Sequence, residues 1–85
     1  MTRPRLAKRS FTLQGHRTSV ALEPEFWAAF DLAVARRGGT PTALMTEIDE
    51  ARDRPLASAL RVFLLAEAQA ERSLAAATSS TAASA

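Results

Sequence analysis

Arg17-Thr18-Ser19-Val20-Ala21-Leu22-Glu23-Pro24-Glu25-Phe26-Trp27 is the stretch on which the fold turns. Its first six residues have a period of two and a β-branched content that predict a strand. Thr18, Val20 and Leu22 fall on one face, and Arg17, Ser19 and Ala21 on the other. Glu23-Pro24-Glu25 then opens a helix. Proline fits the first turn because its missing N–H had no intrahelical partner there, and the two acids oppose the positive end of the helix dipole. Phe26, Phe30, Ala33 and Val34 recur at helical spacing, with Trp27 on the shoulder of that stripe. Arg36 and Arg37 occupy the last turn, and Gly38-Gly39 ends the helix.

A strand needs a partner, because its edges expose unpaired N–H and C=O groups. Phe11 and Leu13 could supply one within the chain by folding back at Gln14-Gly15, although Gln-Gly lacks the Asn-Gly or Asp-Gly chemistry that favours tight hairpins. The alternative is antiparallel pairing with the same strand of a second subunit across a two-fold axis. Core arithmetic favours the second subunit. Of 85 residues, 47% are hydrophobic, but 19 are alanine, leaving 21 larger apolar side chains. With no cysteine and one histidine, neither a disulfide nor an ordinary zinc site can compensate. The expectation is a homodimer whose shared core holds Val20, Leu22, Phe26, Trp27, Phe30, Leu60, Phe63 and Leu64.

Outward from this segment, residues 1–14 form a basic arm in which Ser10-Phe11-Thr12-Leu13 allows a short strand. Residues 15–72 form the folded domain. Thr40 as N-cap and Pro41 at the first helical position begin a second helix, with Leu44, Met45, Ile48 and Ala51 on its apolar stripe, and Asp53-Arg54-Pro55 breaks it. A third helix is expected from about Leu56 to about Arg72. It is apolar on nearly every side from Ala59 to Ala66, Arg61 excepted, which points to burial all round at a subunit interface. Residues 73–85, rich in alanine, serine and threonine, are expected to be disordered. The fold class is mainly α with one short strand. The longest aliphatic block, Val62 to Ala66, is far short of the ~20 residues a membrane helix requires. With no signal-peptide pattern, a cytoplasmic location and no membrane association are expected.

The net charge of +2 conceals a split. Residues 1–22 carry Arg3, Arg5, Lys8, Arg9 and Arg17 without an acid, giving +5, whereas residues 23–85 carry six arginines against nine acids, giving −3. A cationic arm on a mildly acidic body suits a polyanion such as DNA, where each neutralised phosphate releases counterions; a solubilising tail is the bland alternative. A two-stranded ribbon fits the major groove. Arginine can bridge guanine O6 and N7, serine serves various bases, and alanine leaves room for a thymine methyl, so Arg17, Ser19 and Ala21 suit base reading. Other features have plainer readings. His16 is taken as structural or solvated, Trp27 as core, and Glu47, Asp49, Glu50 and Asp53 as a solvated helix face lacking calcium-loop spacing. No Ser/His/carboxylate set, phosphate loop or metal motif is present, so neither an enzyme nor a cofactor is expected.

The chain resembles the ribbon-helix-helix DNA-binding family. The likeness lies in Gly15-His16-Arg17-Thr18-Ser19-Val20-Ala21-Leu22-Glu23-Pro24-Glu25-Phe26-Trp27 together with Pro55-Leu56-Ala57-Ser58-Ala59-Leu60-Arg61-Val62-Phe63. It is similar in particular to a branch of short bacterial proteins of largely unassigned role, over roughly residues 8 to 70. The resemblance implies an intertwined homodimer whose intersubunit ribbon reads the major groove through Arg17, Ser19 and Ala21. It also implies a phosphate held at the start of the last helix by Leu56, Ala57 and Ser58, as helix-terminus physics allows. Arg3, Arg5, Lys8 and Arg9 would meet the DNA backbone. The segment from Thr40 to Arg52 departs from the family pattern as an additional helix. The leading expectation is a homodimeric, sequence-specific transcriptional regulator. The rival is a protein-interaction module, antitoxin-like or adaptor, that binds a protein partner through the additional acidic helix.

Overall fold

In a computed structural model, residues 5–84 are described, with side chains as far as Ala76. Strand β1 (Ala7–Leu13) and strand β2 (His16–Leu22) form an antiparallel hairpin, followed by helices α1 (Pro24–Arg37), α2 (Pro41–Ala51) and α3 (Leu56–Ser84). The molecule is therefore mainly helical with a two-stranded sheet, and the expected single strand is corrected to two. The partner of β2 lies in its own chain. Pairing runs from Ala7 opposite Leu22, through Ser10 opposite Ser19, to Leu13 opposite His16.

The turn explains the difference. Gln14 and Gly15 have φ of 51° and 81°, the two successive positive values of the tight turn whose twist matches that of the strands it joins. Glycine adopts this conformation freely. Glutamine carries a steric penalty, which burial of Phe11 and Leu13 beneath the turn opposes. Half of the expected basic arm, residues 7–13, is thereby incorporated into β1. Its outermost part, Met1 to Pro4 with Arg3, lies outside the described residues.

One face of the hairpin supplies Phe11, Leu13, Val20 and Leu22 to a core completed by Trp27, Phe30 and Ala33 of α1, Leu44, Met45 and Ile48 of α2, and Leu60 and Leu64 of α3. Val20, Leu22, Trp27, Phe30, Leu60 and Leu64, expected in a dimer core, are buried within one chain; Phe26 and Phe63 are half-buried against the same cluster. Phe11 and Leu13 of β1 and Leu44, Met45 and Ile48 of α2 complete this core. Phe11, Trp27 and Phe30 form a mutual aromatic cluster, with Trp27 and Phe30 edge to face at 5.5 Å. The Trp27 indole N–H also donates to the Ala7 carbonyl at 2.6 Å, fastening the start of β1 to α1.

The helix boundaries follow local chemistry. Pro24 lies in the first turn of α1, and Gly38, with φ of 74°, ends that helix by donating its N–H to the Val34 carbonyl at 3.0 Å. Thr40 caps α2 by accepting from the Ala43 N–H at 3.1 Å. Within one chain helix α3 is buried on one side only, at Leu60 and Leu64, leaving Val62 and Leu65 46% and 57% exposed. It also continues to Ser84, through the segment expected to be disordered, because alanine has the highest helix propensity and extending a nucleated helix is easy.

Replacing the side chain that joins α1 to β1 tests this account. Trp27→Ala is expected to lower stability by about 3–5 kcal/mol in urea unfolding and to reduce amide-exchange protection in β1.

Candidate nucleic-acid interface

The side chains of directly opposed residues share a face of an antiparallel sheet. The register therefore sorts the hairpin into an inner face, carrying the apolar residues above, and an outer face made of three rows: Lys8 beside Ala21, Ser10 beside Ser19, and Thr12 beside Arg17. Five of these six are exposed and Ala21 is half-buried. The Ser10 and Ser19 hydroxyls lie 3.1 Å apart at the centre. None of the six is acidic, and among the described residues no acid lies within ion-pair distance of Lys8 or Arg17. The face thus offers two cations, three hydroxyls and one methyl on a rigid backing. Arg17, Ser19 and Ala21 come together as the strand period predicted. Lys8, Ser10 and Thr12 join them, and the alternation of Ser10-Phe11-Thr12-Leu13 was their signal.

Arg9 has a different role. It projects to the helix side, where its guanidinium makes a two-pronged bond to the Asp31 carboxylate at 2.8 and 3.1 Å and lies 4.7 Å from the centre of the Trp27 ring. This contact ties β1 to α1 and turns Arg9 away from the Arg17 face. The hydrogen bond from Arg9 holds the Asp31 carboxyl below its ordinary pKa, outweighing the upward effect of burial. Arg5, just ahead of β1, is exposed.

At the start of α3, Leu56, Ala57 and Ser58 are half-buried, and the Ala59 N–H bonds to the Pro55 carbonyl at 2.9 Å. Two arginines flank this turn. Arg54 pairs with Asp53, whose carboxyl it draws below the ordinary range; Arg52 pairs with Asp49 and donates to the Arg54 carbonyl. The acids of the additional helix are likewise engaged. Glu47 faces Arg37 at 3.7 Å, and Glu50 accepts from the Gln14 amide at 3.2 Å, close to the hairpin turn. On the other side of the body, Arg61 binds Glu23 at 3.0 Å, while Arg36 and Arg37 meet Glu71 and Glu67. Among the described residues no group of three or more potential ligands could hold a metal, and no helix is long and apolar enough to cross a membrane.

The comparisons agree with this architecture. A family described as the ribbon-helix-helix domain matches residues 6–68. The chain belongs to the ribbon-helix-helix domain family. That family is one of DNA-binding regulators, and its match takes in the hairpin, α1, α2 and the first half of α3. No curated protein and no solved structure matches the chain.

The Arg9–Asp31 contact has a pH signature. The native Asp31 carboxyl titrates below its ordinary value, so the stability it contributes is full above that value and is lost as pH falls through the depressed one. Carboxyl-carbon NMR titration is expected to show the lowered value, and Arg9→Gln to raise it.

Proposed function

We propose that this protein is a homodimeric, sequence-specific DNA-binding protein of the cytoplasm, acting as a transcriptional regulator and not as an enzyme. The observation that carries this reading is the outer face of the hairpin. It is a groove-sized ribbon with Lys8 and Arg17 on it, no carboxylate, and small hydroxyl or methyl side chains between. In the major groove, Arg17 reads guanine O6 and N7, Ser19 takes a hydrogen bond from or gives one to a base edge, and Ala21 admits a thymine methyl. Arg3, Arg5 and Lys8 neutralise phosphates beside the groove. Leu56, Ala57 and Ser58 offer a phosphate the free N–H groups of the first turn of α3.

Dimerisation draws support from apolar surface on α1 and α3. Leu32 is 61% exposed, and Phe26, Ala29, Leu64, Leu65 and Ala68 line a shallow groove between the two helices. The two subunits then present their outer faces together to a two-fold operator.

A second reading, a protein-interaction module, draws on the cleft between α2 and α3 lined by Ile48, Ala51, Val62 and Phe63. Selection from a random-sequence duplex library at two salt concentrations separates the two readings, since an interaction module enriches no sequence.

On the selected duplex, Arg17→Ala is expected to cost about 1–3 kcal/mol and to relax preference at one position in each half-site. Arg5→Ala or Lys8→Ala is expected to weaken binding evenly across sequences and to lower the salt slope by about 1 for each phosphate that is no longer neutralised. Unchanged affinity and preference for Arg17→Ala contradict the proposal.

A further inference from the structure

We infer that the exposed Leu6, with Arg5 beside it, docks into the cleft between α2 and α3 of a second copy of this chain, in a head-to-tail contact separate from the two-fold dimer proposed above. This contact needs no DNA and goes beyond the DNA-binding reading.

The cleft is one half of the contact. It measures about 250 Å³, and Ile48, Ala51, Ala59, Val62 and Phe63 give it apolar walls. Val62 is 46% exposed there, an aliphatic side chain that its own chain leaves uncovered. The surrounding segment is acidic. Residues 41–55 hold Glu47, Asp49, Glu50 and Asp53 against Arg52 and Arg54, a net charge of −2. Glu47 and Asp53 border the cleft with side chains 66% and 83% exposed. Each faces an arginine of its own chain, and a carboxylate has room for further donors.

Arg5 and Leu6 are the other half. Leu6 is 53% exposed, and it precedes Ala7, the first paired residue of β1, so no opposed side chain of β2 shelters it. Arg5 and Lys8 flank it in sequence, and no acid occurs before Glu23. Among the described residues no acid lies within ion-pair distance of Arg5. An aliphatic side chain framed by cations thus matches an apolar cleft framed by carboxylates. Burial of the leucine supplies affinity, and opposite charge supplies orientation.

The two halves do not meet within one chain. Leu6 is not among the residues lining the cleft, and α2 meets the hairpin at its far end, where Glu50 accepts from the Gln14 amide. From Leu6 along β1 to Leu13 is about 24 Å at the rise of a strand. A surface and its complement at separate places on one chain make a heterologous contact, which links copies head to tail. The cleft shares no residue with the groove between α1 and α3 assigned to the two-fold dimer, so one copy accommodates both contacts.

Sedimentation equilibrium of the full chain without DNA, from micromolar to millimolar concentration, tests the contact. The wild-type protein is expected to grow in mass with concentration beyond a limiting species. Leu6→Gln and Val62→Lys are each expected to weaken that growth about tenfold or more, as loss of one buried aliphatic contact predicts. Both side chains are exposed in the single chain, and thermal unfolding of each variant confirms an intact fold. Mixing the two variants is expected to restore association, because each supplies the surface that the other lacks. A wild type that stops at the same mass as Leu6→Gln overturns the inference. So does an effect of only one of the two substitutions, or a mixture that stays as small as its components. None of these outcomes bears on the DNA-binding reading, which the duplex selection tests separately.

Discussion

A strand in so small a chain cannot leave both edges of its backbone unpaired, and the pairing of β2 with β1 is the constraint from which the rest of the molecule follows. Closing the hairpin requires two consecutive residues with positive φ, supplied by Gln14 and Gly15. Once it closes, Phe11 and Leu13 are delivered to the same face as Val20 and Leu22. A sheet with a continuous apolar side then exists for Trp27 and Phe30 to cover. Without β1 the core would lack Phe11 and Leu13, and the Trp27 indole would have no carbonyl to bind.

The same pairing organises the charged surface. Alternation along β1 sends Arg9 inward to Asp31 and Trp27, and Lys8 outward to the face of Arg17. Two adjacent basic residues thereby take unrelated places, one fixing the hairpin to the body and the other exposed on the outer face. Helix α2, which the family match includes, is built into the domain in a comparable way. Leu44, Met45 and Ile48 complete the core, while Glu50 reaches the hairpin turn through Gln14 and Glu47 faces Arg37. Its acids are held close to donors of the same chain, which reduces the repulsion they would exert on a nearby phosphate.

Much of this was legible in the residues. The period of two from Arg17 to Leu22, Pro24 and Pro41 in first turns, Thr40 as a cap and Gly38 as a stop each correspond to a local rule, and the elements they mark are where those rules put them. Three features were hidden because they depend on tertiary context. Gln-Gly is a weak turn signal, and only the burial of Phe11 and Leu13 makes the hairpin favourable. The apolar stretch of α3 read as buried all round at a subunit interface; within one chain α1 and α2 cover one side, and Val62 and Leu65 are exposed. Continuation of α3 past Arg72 draws on alanine propensity, and Leu74, the one large apolar side chain there, is exposed and has no packing to announce it. On the outer face, Arg17, Ser19 and Ala21 could be read from one strand alone, whereas the register is needed to set Ser10 and Thr12 beside Ser19 and Arg17.

The central claim is that β1 and β2 of one chain pair with each other as a hairpin. Isotope-filtered NMR on a sample mixed from labelled and unlabelled protein, unfolded together and refolded, tests it directly. Cross-strand contacts between Ser10 and Ser19, and between Thr12 and Arg17, are predicted within labelled chains only. The same contacts observed between labelled and unlabelled chains would contradict the account and pair β1 with the β2 of a different subunit.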